Sequence, residues 1–431
     1  MAGVTRRAPL RVSSSTRPNQ AVVNLDAVRF NTRAVLRSVQ PAAVLAAVKA
    51  DAYGHGAFEV ARAAVDAGAI GAATGDLDSA LRLRQGGLSG MIVVFPGPVF
   101  TIADLRAAAS ASVTLTAHDA ATAEYWSKSC PAPLKVFMKI SLGLERLGAY
   151  PEEALSIAQQ IRSSACLTLT GVLGHLHAPI DASNAYVQWQ LDRFAAALDS
   201  LAAPGPLPVH RIVAASSALR RQADLRFDQR LTAVDPGSIL LGSAPPEHGS
   251  LSGVAPALER ITTQLVQVRC VSRAPHADDG PFPISPGMRV GILPIGRADG
   301  MPSIGAGHVL VGGRPARILR IWTEHAAIDL TDMPSAEPGQ EAVLFGAQGS
   351  RTITVSDVAA VNSDCNSTVD IGVSLRDSVL RSYTATCIET RHPTGSELRR
   401  RSHDGSPAAG RHAIRGLGRR TRMLATRLGL G

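Results

Sequence analysis

Between residues 19 and 250 the chain switches repeatedly between two hydrophobic periods. Short apolar runs at 44–49, 70–74, 91–95, 113–116, 134–140, 169–176, 209–214 and 238–241 read as buried strands. Stretches of helical period at 58–67, 77–84, 151–162 and 184–201 lie between them. Pro151 suits a first helical turn, with Glu152 and Glu153 at the positive end of the helix dipole. Strands separated by helices pair in parallel, and eight such units predict a TIM-type (β/α)8 barrel. An open doubly wound sheet is the competing topology, but no Gly-x-Gly-x-x-Gly follows the first strand. From 251 to 390 helical periodicity fades. Runs at 265–271, 290–293, 309–311, 317–321 and 341–345, separated by Gly and Pro, predict a mostly β second domain.

Charge marks the ends of the folded part. The net charge is +9, yet residues 391–431 hold ten arginines against Glu397 and Asp404, and residues 1–18 hold four arginines and no acid. The part between is mildly acidic. Residues 1–18 and 391–431 read as disordered basic tails, and without interleaved aromatics they do not predict specific nucleic-acid binding. No apolar run approaches the ~20 residues of a membrane helix. No apolar core follows the basic N-terminus, so no signal peptide is read. Five scattered cysteines without a Cys-x-x-Cys pair argue against a zinc site or disulfide framework and predict a reducing, cytoplasmic setting.

The first barrel strand ends on a lysine, in Val48-Lys49-Ala50-Asp51-Ala52-Tyr53-Gly54-His55-Gly56. Desolvation disfavours an ammonium at the mouth of a buried strand. Such a lysine either snorkels to solvent or serves as an amine nucleophile toward a carbonyl cofactor. Other polar residues fall on the same predicted rim, where barrel enzymes place their sites. Lys139 and Arg146 lie at and after strand five, and His175 near the end of strand six. Ser216 and Ser217 follow strand seven, and Asp235 and Gly237 border strand eight.

The lysine segment closely resembles the cofactor-binding motif of the alanine racemase family, and the resemblance extends with gaps from Val22 to Arg376. It implies a fold-type-III pyridoxal-phosphate enzyme, a barrel followed by a β-domain, acting as a homodimer with shared active sites on a small amino acid. In that family the lysine matching Lys49 holds pyridoxal 5'-phosphate as a Schiff base, and the tyrosine matching Tyr53 contacts its phosphate. Arg146, in Glu145-Arg146-Leu147-Gly148, matches the arginine on the cofactor's phenolic oxygen. Lys139 matches a lysine that is often carbamylated and braces that arginine. His175 matches the histidine beneath the ring. Ser217, Gly237 and Ser238 match the phosphate site. Each has a bland reading as a core or surface residue.

Three departures put the family chemistry in question. Asp235 stands where arginine usually faces the pyridine nitrogen. An acid there would favour the protonated ring and a longer-lived carbanion, as in decarboxylation or elimination. Alternatively, Asp235 caps a turn before Pro236. The second catalytic base, a tyrosine expected between 274 and 284, is missing, since the five tyrosines are Tyr53, Tyr125, Tyr150, Tyr186 and Tyr383. His276 or Asp278 is the candidate replacement, the bland reading being solvated loop residues. Arg297 replaces an entrance tyrosine, and Thr323 lies in an altered segment near the expected substrate carboxylate. The sequence therefore predicts an amino-acid racemase, alanine by family default. Another fold-type-III reaction and a catalytically silent cofactor-binding relative remain open.

Overall fold

The computed structural model describes residues 17–385 apart from 98, 179–181, 204, 215, 220–226, 244–250, 252 and 273–283. Among the described residues the first element is strand β1 (Gln20–Asn24). The chain continues through β2 (Ala43–Ala47), β3 (Gly71–Thr74), β4 (Met91–Val94), β5 (Val113–Ala117), β6 (Leu134–Ile140), β7 (Leu167–His175), β8 (His210–Ala214) and β9 (Ala233–Val234). Strands β2 to β9 pair in parallel, in sequence order, and β9 closes on β2. The expected barrel is present, and it starts one strand later than the chain's first.

Strand β1 joins a second sheet instead. It pairs antiparallel with Leu258–Gln264 and parallel with Leu380–Thr384. The β-rich C-terminal domain thus incorporates β1. The side chain of Asn24 then caps helix Leu25–Ser38 by accepting from the backbone N–H groups of Asp26 at 2.9 Å and Ala27 at 3.1 Å. That cap is worth ~1 kcal/mol and carries the chain from sheet to barrel without an unpaired helix start.

Two expected strands differ. The apolar run 238–241 is a 3₁₀ turn, Ser238–Leu241. The Ser216 hydroxyl accepts from the backbone N–H groups of Gly237 and Ile239, both at 3.3 Å, and Leu240 N–H donates to Gly237 O at 2.9 Å. Those donors are unavailable to a β ladder, so the eighth strand is the short Ala233–Val234 just before them. The run 265–271 is likewise divided, Gln267–Cys270 forming one strand and Leu258–Gln264 ending before it.

Inside the barrel Leu45, Ala73, Val93, Phe137, Leu173, Ile212 and Ala233 form a buried apolar plug. Successive side chains on a strand alternate faces, so positions two residues onward share the interior side. From Phe137, Leu173 and Ala233 that step reaches Lys139, His175 and Asp235. The same strands that seal the barrel therefore lift ionisable groups to its mouth.

Candidate active site

Lys49 follows β2 by two residues and opens a turn of opposite hand to an ordinary helix. Ala50, Asp51, Ala52 and Tyr53 all have left-handed backbone, with φ of 51°, 53°, 51° and 54°. Each such non-glycine residue costs ~1–2 kcal/mol, so the surroundings must hold it. Ala52 N–H donates to Val48 O at 2.9 Å, Gly56 N–H to Asp51 O at 2.9 Å, and Ala57 N–H to the Asp51 carboxylate at 2.7 Å. His55 Nδ1 lies 2.9 Å from Tyr53 O, and Arg381 Nε donates to Gly54 O at 2.8 Å. Helix Thr368–Ser374 closes the contact so tightly that a Cβ on Gly54 would stand 1.9 Å from Gly372 O. The C-terminal domain thus clamps the lysine turn.

The reversed turn brings Tyr53 back over the mouth. Lys49 Nζ lies 5.8 Å from its ring centre. A Cβ on Gly237 would stand 2.3 Å from the Tyr53 hydroxyl. Burial pushes the Tyr53 phenol up to about 12, and Asp235 adds to the shift, so the hydroxyl stays a donor at neutral pH.

Arg146 reaches the same place on a closed loop. Ala149 N–H donates to Lys139 O at 2.9 Å and Ser141 N–H to Ala149 O at 2.8 Å, which folds residues 141–149 back onto β6. Gly148, at φ 127°, permits the approach, since a Cβ there would press 2.7 Å from Ser141 N. The guanidinium then acts on Lys49, Lys139 and His175. Burial, and next Arg146, hold the Lys49 amine below its ordinary value, while Asp235 works in the other direction. Burial carries Lys139 down to about 8 against the pull of Asp235. His175 falls to about 3 through burial and the charges of Lys139, Lys49 and Arg146, so it is neutral. Asp235 is raised to about 7 by burial, with Lys139 and Lys49 pulling it back. Its Oδ1 is buried and has no hydrogen-bond partner, while the carboxyl also accepts a hydrogen bond from its own backbone.

These observations unite Lys49, Tyr53, Lys139, Arg146, His175, Asp235 and Gly237 at one barrel mouth. Residues 23–245 match the family model for the N-terminal domain of alanine racemase, and residues 260–383 that for its C-terminal domain. The chain belongs to the alanine racemase family. It is 32% identical over 352 residues to an alanine racemase of Laribacter hongkongensis, spanning 80% of this chain and 93% of that one. It is equally 32% identical over 387 residues to one of Mycolicibacterium smegmatis, spanning 84% and 94%. The solved alanine racemase from D-cycloserine-producing Streptomyces lavendulae superposes with a TM-score of 0.71 at 27% identity, over 86% of this chain and 98% of that one. The Enterococcus faecalis structure, at 24% identity and a TM-score of 0.74, agrees in fold over 86% and 100%.

The alanine racemase family implies pyridoxal phosphate, and the residues present fit that group. A depressed lysine amine suits an aldehyde, the orphaned Asp235 oxygen suits a ring N–H, and glycine at 237 leaves space beside the Tyr53 hydroxyl. The Ser216 hydroxyl accepts from the backbone of the expected phosphate end, and Ser217 is its neighbour. The two serines are adjacent on helix Ser216–Leu219, and nothing in their sequence separates them. Ser238 opens the facing 3₁₀ turn. Arg297 and Thr323 are exposed on the β-rich domain. Their segments are held to each other, Arg297 N–H to Trp322 O at 2.9 Å and Ala298 N–H to Thr323 O at 2.8 Å. His276 and Asp278 lie outside the described residues. The sequence reading missed His55 and Arg381. The Gly-His-Gly spacing signals the first, while nothing local signals the second.

Proposed function

We propose that this chain is a pyridoxal-phosphate-dependent racemase of a small amino acid, alanine being the first substrate to test. The observation that carries the reading is Lys49: an amine with lowered basicity at the barrel mouth, between Arg146 and Asp235, in a chain of this family. When bound, the cofactor supplies an aldehyde for the substrate amine and an electron-poor ring that acidifies the substrate Cα–H. Lys49 holds the aldehyde, and its neutral amine takes or returns the Cα proton on one face. The Tyr53 hydroxyl, Ser217 and the backbone at Gly237 and Ser238 bind the phosphate, Arg146 the phenolic oxygen, and neutral His175 the underside of the ring. His276 from a second copy of the chain serves the opposite face, which makes a homodimer the working unit. Arg297 and Thr323 shape the entrance from that copy. No helix among the described residues is long and apolar enough to cross a membrane, and a cytoplasmic setting accords with the cysteine pattern.

The test is incorporation of solvent deuterium at Cα of L- and D-alanine, followed by NMR, with the loaded wild-type protein and Lys49→Ala. Exchange in the wild type and none in the variant is expected. No exchange on any amino acid offered would sink the reading.

Buried Asp235, whose Oδ1 has no hydrogen-bond partner, favours one second reading. An acid at the ring nitrogen supports decarboxylation or elimination, which need no second base. Release of carbon dioxide or ammonia that is lost in Asp235→Arg would decide for it.

A further inference from the structure

Arg146 is carried by a loop with little regular structure of its own. Between the two backbone hydrogen bonds that close it on β6, Gly143 has a φ of 103° and Glu145 one of 48°. The second is costly for a residue with a side chain, and it immediately precedes Arg146. Something outside the loop must therefore hold this conformation, and two aromatic side chains touch it. The ring of Trp189, on helix Asn184–Ala202, fills the space beside Gly143, where a Cβ would stand 2.6 Å from Cζ3 and 2.7 Å from Cη2. The Tyr150 hydroxyl, past the other end of the loop, donates to Glu145 Oε2 at 2.9 Å.

Trp189 is itself held in place. Its ring stacks on Tyr186, centres 6.0 Å apart and 19° from parallel, and the Arg193 guanidinium carbon lies 5.1 Å from its centre. Tyr186 in turn meets His177 edge-on at 6.0 Å. The backbone of His177 is fixed by Gln190, its N–H donating to Oε1 and its carbonyl accepting from Nε2, both at 2.8 Å. A run of packed side chains thus leads from the residue two past His175 to the residue three before Arg146. Trp189 is 45% exposed, so core burial does not account for its fixed place. We infer that Trp189 and Tyr150 are positioning residues for Arg146. Trp189 pins the Gly143 limb of the loop and Tyr150 pins the left-handed Glu145, and together they aim the guanidinium into the barrel mouth. The inference rests on the racemase reading for what Arg146 does to the cofactor, while the placing of the guanidinium needs no turnover.

The Lys49 amine reports where the guanidinium stands, because Arg146 holds it below its ordinary value. Full-length protein freed of cofactor is reductively methylated across a pH series, and the Lys49 peptide is followed by mass. Trp189→Ala is expected to raise the Lys49 midpoint by about half a pH unit, a roughly threefold loss of neutral amine at neutral pH. Tyr150→Phe, which removes only the hydroxyl, should move it in the same direction. Neither substitution should shift the midpoint further once Arg146→Gln is present. A wild-type midpoint in either variant overturns the inference. So does an equal shift with and without Arg146, which would mean a general loosening of the mouth. If Trp189→Ala does not fold, Tyr150→Phe at its exposed site decides in the same way. Arg146-dependent shifts in a chain whose loaded wild type exchanges no Cα proton would sink the racemase reading and leave this one standing. Cα exchange alongside unmoved midpoints would do the reverse.

Discussion

The Tyr53 hydroxyl occupies the space that a side chain on Gly237 would need, 2.3 Å from where its Cβ would stand. Gly237 has a φ of −119° and a ψ of −84°. It is required for the approach of Tyr53. Gly237→Ala is therefore expected to displace the phenol from the phosphate end and weaken pyridoxal phosphate about tenfold, ~1.4 kcal/mol. Equilibrium dialysis of the cofactor measures this. An unchanged affinity would mean that Tyr53 does not hold the phosphate.

Arg381 ties the β-rich domain to the lysine turn. Besides Gly54 O, its guanidinium donates to Arg376 O at 2.7 Å, to Val379 O and to Leu375 O at 3.4 Å. Hydrogen bonds from charged donors contribute ~1.5–3 kcal/mol each, and the one to Gly54 O is the one that reaches the left-handed turn. Arg381→Ala is expected to lower stability by ~2–3 kcal/mol and also to weaken the cofactor, because Lys49 and Tyr53 lose their fixed orientation. Arg381→Lys, with one compact donor group, should recover part of the stability and less of the binding. Urea unfolding read beside cofactor affinity separates the two effects.

His55 predicts a pH dependence. It is 1% exposed, its Nε2 has no partner, and burial lowers it from 6.5 to about 4. Between those values the folded chain binds fewer protons than the unfolded chain, so this residue makes stability fall as pH falls. His175 acts in the same direction, while raised Asp235 acts oppositely up to about 7. His55→Asn keeps a donor for Tyr53 O and removes only the His55 contribution. The acid limb should become shallower by roughly 3 kcal/mol between pH 6.5 and 4. Urea titrations across that range, wild type against variant, give the difference directly, and parallel curves would contradict it.

The barrel and its lysine were legible because they rest on local signals: period-two and helical alternation, a strand closing on a charge, and glycines that allow tight approach. Strand eight was not, because Ser238–Leu241 has the composition of a strand. Its Ile239 N–H goes to Ser216, more than twenty residues away in sequence, and its Leu240 N–H to Gly237 O. The bond of the Ser216 hydroxyl to the Gly237 backbone has the same origin, since which of two adjacent hydroxyls faces Gly237 depends on helix phase. Arg381 is 327 residues from Gly54, and no pattern in the chain announces a bond of that range. The role of Asp235 lay between these cases. Its position was readable, but its full burial and unpartnered oxygen appear only once β9 brings it to the mouth.

Lys49 sits between opposing charges, which gives a two-sided test. Burial lowers the amine, Arg146 lowers it further, and Asp235 raises it. Removing Asp235 should therefore lower the Lys49 pKa again, whereas removing Arg146 should raise it. In cofactor-free protein the rate of reductive methylation at Lys49, followed by peptide mass against pH, reports the neutral amine. The midpoint in Asp235→Asn is expected below that of wild type, and the midpoint in Arg146→Gln above it. The sign matters for catalysis, because a lower pKa leaves more neutral amine at physiological pH to take a Cα proton, while a higher one leaves less. Shifts in the same direction for both variants would show that Lys49 responds to lost packing and not to the two charges.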